Sequence, residues 1–201
     1  MSEKSRTRGR PRKFDPDEVL GKALNTFRQN GYSGTSLEDL TNATGLNRPS
    51  LYGTFGNKHK LYEAALDSYW SRVTKHANEG LWETGDIKRD FHSFLLRFLD
   101  GFCDEEPGGC VIACSLPSEA GRDPVLEKKL QEIFEEADTT LTSRFEEARK
   151  KGQLETDVPI NMLAQLISST MFGMSIRSRA GASRAELETM VEGICKLLFV
   201  L

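Results

Sequence analysis

Between Ser36 and Phe55 the chain fits two helix starts and two helix stops into twenty residues, and few folds accommodate that. Ser36 can cap a short helix, with Asp39 three residues on as the partner of a capping box. Leu37, Leu40 and Ala43 share its inner face, and Gly45 ends it. Only Leu46 and Asn47 separate that stop from the next start. Asn47 caps a second helix, Arg48 to about Thr54, whose Pro49 lies in the first turn, where no amide donor is needed. Two short helices joined by a tight, glycine-containing turn make a helix-turn-helix.

The surrounding sequence is helical as well, with no alternating strand or hairpin pattern. Asp15-Pro16-Asp17-Glu18 opens a first helix by capping and by proline at its first position. Val19, Leu20, Ala23, Leu24 and Phe27 form its apolar face, and Gly31 stops it. Asn57 caps a long fourth helix with a wide stripe through Leu61, Tyr62, Ala65, Leu66, Tyr69, Trp70 and Val73. Further helices are expected over about 87–104, 110–119, 123–151, 157–179 and 183–201, with breaks at Pro107-Gly108-Gly109, Gly121, Lys151-Gly152 and Gly181. The expected fold is all-α: a basic arm over 1–14, a three-helix helix-turn-helix domain over 15–60 and a helical bundle over 61–201, about nine helices in total.

Charge is divided between these parts. Residues 1–60 carry 11 Lys and Arg against 6 Asp and Glu, while the rest carries 16 against 24. A basic head on an acidic body is the pattern of a nucleic-acid-binding segment on a non-binding one, although a basic solvated tail would give the same count. No apolar run approaches the roughly 20 residues of a membrane span, and the basic N-terminus lacks a signal peptide's apolar stretch. A cytoplasmic protein is expected, whose four cysteines are thiols rather than a disulfide framework.

In the second short helix, Leu51 and Phe55 are four residues apart and anchor it, which turns Arg48, Ser50, Tyr52, Gly53 and Thr54 outward. Donors and short side chains there suit a helix whose N-terminal end enters the major groove of DNA. Gly53 costs about 1 kcal/mol relative to Ala in an exposed helix; it marks either a close backbone approach or a tolerated defect. Lys58 occupies the first turn of the fourth helix, where the macrodipole disfavours a cation, and His59 and Lys60 follow. A docked anion, such as a DNA phosphate, would reconcile that cluster with the helix end. Alone it reads equally well as a solvated run; beside the helix-turn-helix the phosphate reading prevails. Arg10 and Arg12, in Gly9-Arg10-Pro11-Arg12, offer a second grip, in the minor groove.

From Phe14 to Leu61 the sequence resembles the tetracycline-repressor (TetR) family. The likeness rests on a first helix ending "FRQNGY" and on "TSLEDLTNATGLNRPSLYGTFGNKHKLY", with Gly31-Tyr32, Thr35-Ser36, Gly45-Leu46, Leu51-Tyr52, Phe55, Lys58 and Leu61 at matching spacings. The resemblance implies a DNA-binding head and a body for effector binding and dimerisation. It implies Thr35 and Ser36 at the phosphate backbone, Arg48, Ser50 and Thr54 near base edges, and Tyr52 and Lys58 on phosphates. Pro49 and Gly53 depart from the family's commoner residues.

A two-fold dimer would set its recognition helices about 34–36 Å apart on a near-palindromic double-stranded operator. Its expected interface is Ile160, Leu163, Ile167, Met171 and Met174 on one helix with Leu187, Val191, Ile194 and Leu198 on the next; the same stripes also suit packing within one chain. An apolar effector cavity is expected among Trp70, Phe98, Phe102, Cys110, Cys114, Phe134 and Met171, side chains that would equally fill a core. Cys110 and Cys114 begin a helix, where a lowered pKa would make Cys110 an oxidant or electrophile sensor; buried inert thiols are the plainer reading. A metal site lacks a nearby histidine, and no metal or cofactor is expected. No phosphate loop, nucleophile elbow or histidine pair suggests an enzyme. The expectation is a transcriptional regulator, a repressor released by a small-molecule, oxidant or electrophile effector; the alternative is a helical DNA-binding protein without such an input.

Overall fold

The computed structural model describes residues 14–199, so Arg10 and Arg12 lie outside the described residues. Its order is α1 (Pro16–Gly34), α2 (Leu37–Thr44), α3 (Arg48–Phe55), α4 (Lys58–Leu81), α5 (Ile87–Asp100), α6 (Val111–Cys114), α7 (Leu116–Ala120), α8 (Pro124–Lys150), α9 (Ile160–Arg179) and α10 (Arg184–Leu198). Among the described residues there are ten helices and no strand.

The expected caps form. Asp15 accepts from the amide of Asp17, and Ser36 and Asp39 make both halves of their capping box. Gly45 ends α2 in the left-handed conformation at φ 71°, which turns the chain towards Asn47 without a Cβ penalty. The expected single helix over 110–119 divides into α6 and α7 at Ser115. Pro117 has no N–H to give the carbonyl of Ala113, and its ring crowds that carbonyl, so a continuous helix cannot pass.

Helix α4 is the spine, packed along α1 on one side and α5 on the other. Helix α8 packs on α7 and α9, and α10 lies against α5. One apolar core runs from Val19 and Phe27 in α1 to Leu187 and Val191 in α10. Within it lies a charged pair. Arg144 of α8 donates from Nη2 to Asp90 of α5 at 3.0 Å and from Nε to the Leu81 carbonyl at 2.8 Å, and both side chains are shut off from solvent.

The expected dimer stripe needs correction. Ile160, Leu163, Ile167, Met171, Met174, Leu187 and Val191 are buried within one protomer, and Ile194 and Leu198 are packed partly against the same core. The seven buried residues fill the side of α9 and α10 that faces the other helices of their own chain, while Ile194 and Leu198 lie at its half-exposed edge. The opposite side of α9 carries Met162, Leu166 and Ile176, which are 52%, 56% and 54% exposed, and Leu197 of α10 is 80% exposed. Helix α9 is thus apolar on two faces, and only the outer one is free.

Candidate nucleic-acid interface

Helix α3 is held by the buried Leu51, with Phe55 packed partly buried against the same core. The Asn47 side chain accepts from the Ser50 amide at 2.9 Å and fixes the first turn. Arg48, Pro49, Tyr52 and Gly53 then stand exposed, with Ser50 and Thr54 half-buried at the edge. Thr54 donates its hydroxyl to the Ser50 carbonyl at 2.9 Å, so its methyl and a lone pair are what it can offer outward. A Cβ on Gly53 would meet nothing within 4 Å. The outer surface of α3 is therefore a short, low ridge bounded by a guanidinium and a phenol.

Neighbouring groups extend this ridge. Ser36 is exposed at the start of α2, and its oxygen accepts from the Asp39 amide at 3.0 Å. Thr35 does not join it. Its side chain is 1% exposed and its hydroxyl donates to the Gly31 carbonyl at 2.6 Å, a bond that closes the turn after the left-handed Gly31. Thr35 thus positions α2 and is unavailable to an outside partner.

The N-terminus of α4 is only partly the cationic cluster expected. Asn57 caps it through the Lys60 amide at 2.9 Å. Lys58 lies with Nζ 4.5 Å from the centroid of the Tyr32 ring, and partial burial draws its pKa down against the opposing pull of Glu119. Lys60 is exposed. His59 turns the other way, with Nε2 2.6 Å from Asp123 at the start of α8 and Nδ1 against Glu63. Ser33 also reaches Glu119 of α7 at 3.4 Å. His59 therefore links the end of α4 that carries Lys58 to the body.

Arg28 makes a second link. Its side chain is 1% exposed, lies 2.6 Å from Glu105 in the loop after α5 and stands 5.6 Å from the Tyr69 ring centroid. None of its three guanidinium nitrogens finds an aligned hydrogen-bond acceptor. The signal for Arg28 was in the sequence, since it continues the Leu20–Leu24 spacing by four. Arg144 likewise occupies the apolar register of Leu141, Phe145 and Ala148. A cation in a core register is easily passed over as a surface residue.

The aromatic side chains expected around an effector do gather. Phe172 is the hub, 6.0 Å from Trp70, 4.7 Å from Phe134 and 6.5 Å from Phe98, and Phe98 stacks edge-on to Phe102 at 5.3 Å. Trp70 and Met171 line a cavity of only 20 Å³ between α4, α5, α8 and α9. Phe134 does not line it and is 37% exposed, whereas Phe102 is fully buried. Cys110 and Cys114 face Ser175 of α9 instead. The Cys110 amide donates to the Ser175 hydroxyl at 2.7 Å, and the Cys114 thiol lies 3.8 Å from the Ser175 carbonyl. Cys110 caps a four-residue helix in the core, and burial pushes its thiol pKa up, with the Tyr69 hydroxyl pulling weakly the other way. The expectation of a lowered pKa is corrected: desolvation outweighs so short a helix.

Comparison with known proteins bears on this arrangement directly. A profile described as bacterial regulatory proteins of the tetR family matches residues 19–65, and one described as the tetracyclin repressor-like C-terminal domain matches residues 81–194. The chain belongs to the TetR family. It is 32% identical over 186 residues to the HTH-type transcriptional repressor ComR of Escherichia coli, covering 90% of this chain and 88% of that one. It is 27% identical over 186 residues to the regulator YezE of Bacillus subtilis, over 92% and 96% of the two chains. Among solved structures, a cysteine-substituted TetR-family regulator CifR complexed with 26-base-pair operator DNA superposes with a TM-score of 0.81 at 28% identity, covering 94% of this chain and all of that one. As a TetR-family member the chain is a transcriptional regulator rather than an enzyme. Among the described residues, no helix is long and apolar enough to cross a membrane.

Proposed function

We propose that this TetR-family regulator is a cytoplasmic repressor that binds a near-palindromic double-stranded operator as a homodimer and leaves it when an effector occupies the body. The head is residues 15–60, preceded by the arm 1–14, and the body is residues 61–201. The reading is carried chiefly by the outer face of α3, where Arg48, Tyr52 and Gly53 stand free on a helix anchored by Leu51 and the partly buried Phe55. Arg48 reads a base edge, with Ser50 and Thr54 beside it; Ser36 and Tyr52 take phosphates, and Lys58 swings from Tyr32 to another.

The dimer forms through the outer faces of α9 and α10. Met162, Leu166, Ser169, Gly173 and Ile176 recur every three or four residues, and Met190, Gly193 and Leu197 continue the pattern on α10. Four helices with such stripes bury one another's apolar faces, while the small residues allow close approach. His59 and Arg28 supply the linkage, since each joins an element of the head to a helix or loop of the body.

The test is fluorescence anisotropy with duplex DNA from upstream of the regulator's own gene. Arg48→Ala should relax discrimination at one or two base pairs, whereas Tyr52→Ala or Lys58→Ala should weaken binding to every sequence about equally. A protein that ignores such DNA across moderate salt, or an Arg48→Ala variant with unchanged discrimination, overturns the reading.

A further inference from the structure

We infer that the open groove between α1 and α4 binds a small amphipathic anion, a carboxylate on a short alkyl chain, with Arg72 and Lys75 on its head and Leu20, Leu24 and Ala65 under its tail. This site lies outside the interior of the body, where the proposed effector acts, and stands independently of that reading. The groove measures 480 Å³, and sites for small molecules run from about 300 to 1,000 Å³. Along α4 it follows Ala65, Ser68, Arg72 and Lys75, which lie in one line down the helix over about 15 Å. Its floor is apolar, since Leu20 and Leu24 of α1 and Ala65 and Tyr69 of α4 are all buried. Arg72 and Lys75 stand exposed towards one end, and Ser68 and Ser71 add hydroxyls beside them. An apolar trough with its cations gathered at one end matches a molecule whose charge is at one end.

These two cations are unspent. Lys22 pairs with Glu18, Lys129 with Asp67, and Arg97 with Glu79 and Glu83, whereas among the described residues neither Arg72 nor Lys75 enters an ion pair. Arg72 lies 5.6 Å from the centroid of the Tyr69 ring, at the same distance as Arg28. Asp17 is the single carboxylate of the lining, so two cations face one anion. A ligand carboxylate balances that excess, an ammonium adds to it, and a neutral molecule of equal length gains only its apolar burial. Gly21 is a second, independent observation. It lines the groove from within α1, where its backbone is regular helix and glycine costs about 1 kcal/mol relative to alanine. Yet a Cβ there would meet nothing within 4 Å. Neither packing nor backbone geometry calls for glycine, and the missing side chain keeps the groove open.

The experiment titrates the full chain by calorimetry with three molecules of one chain length: octanoate, 1-octanol and octylammonium. Octanoate should bind about tenfold more tightly than the alcohol, and octylammonium more weakly than either. Arg72→Gln combined with Lys75→Gln should bring octanoate down to the affinity of the alcohol while leaving the alcohol unchanged. Gly21→Leu fills the groove from the α1 side without displacing any neighbour, so it should abolish octanoate binding while the melting temperature holds or rises. No binding of octanoate at millimolar concentration, equal or tighter binding of the alcohol or the ammonium, a preference that survives the double substitution, or octanoate binding that survives Gly21→Leu each overturns the inference.

Discussion

The buried pair of Arg144 and Asp90 should respond asymmetrically to its two deletions. Asp90 has three partners besides Arg144: the Thr84 amide at 2.8 Å, the Thr84 hydroxyl at 2.7 Å and the Gly85 amide at 2.9 Å. Arg144 has only the Leu81 carbonyl besides Asp90, and its Nη1 is already without a partner. Arg144→Met therefore leaves a carboxylate that remains triply hydrogen-bonded, and the loss is about one charge-assisted bond, roughly 2 kcal/mol. Asp90→Ala leaves a guanidinium in the core with one neutral acceptor, a cost of about 3–5 kcal/mol. Against a typical stability of about 5–15 kcal/mol, the second change removes much of the margin and the first does not. The double variant should be about as stable as Arg144→Met alone, since it has no stranded cation. Urea unfolding followed by circular dichroism measures all four forms. Equal costs for the two single variants, or a larger cost for Arg144→Met, would refute this account of which charge depends on which. Acid supplies a second axis. Burial pushes the Asp90 carboxyl up, but the bonds from Thr84, Arg144 and Gly85 together hold it below the usual carboxylate range. A depressed folded pKa contributes stability that is present above the unfolded value of about 3.9 and is lost as pH falls through the folded one. Asp90→Asn should flatten that acid limb and leave the neutral region sloping as before.

Three further outcomes follow from the same packing. Leu51→Ala empties the fully buried anchor of α3 and should cost about 2–5 kcal/mol by denaturant titration, with operator affinity falling even where the chain remains folded. Leu166→Glu with Ile176→Glu puts carboxylates on the free face of α9 and should convert the dimer to a folded monomer by sedimentation, whereas Thr142→Glu on α8 should not. Cys110 should react with a disulfide reagent at pH 7.5 no faster than an unfolded-peptide thiol, because burial raises its pKa and leaves little thiolate; Cys110→Ser should leave the fast phase of labelling unaltered. A Cys110-dependent fast phase would restore the thiol as a sensor.

The head was legible because its signals are local. Ser36, Asn47 and Asn57 each cap within three residues, and Gly45 needs only its own φ to stop a helix. What misled were properties that depend on distant neighbours. Thr35 reads as an exposed polar residue until the fold turns its hydroxyl on Gly31. Ile167 and Met171 have the right spacing for an interface, but a helix with two apolar stripes does not say which stripe its own chain uses. The chain used the one with Leu163 and Met174 and left Leu166 and Ile176 outside. His59 stands in sequence with Lys58 and Lys60, yet Asp123, 64 residues away, claims it. Burial at Cys110 is likewise a property of α4 and α9 closing over it, not of the cysteine spacing.

The central claim is that α3 enters a DNA groove once per protomer. Hydroxyl-radical footprinting of the upstream DNA tests it most directly. The expected result is two protected half-sites related by two-fold symmetry, their centres about one helical turn or a whole multiple of it apart, and their loss on Arg48→Ala combined with Lys58→Ala. Uniform protection without sequence boundaries, or half-sites unaffected by that double substitution, would contradict it.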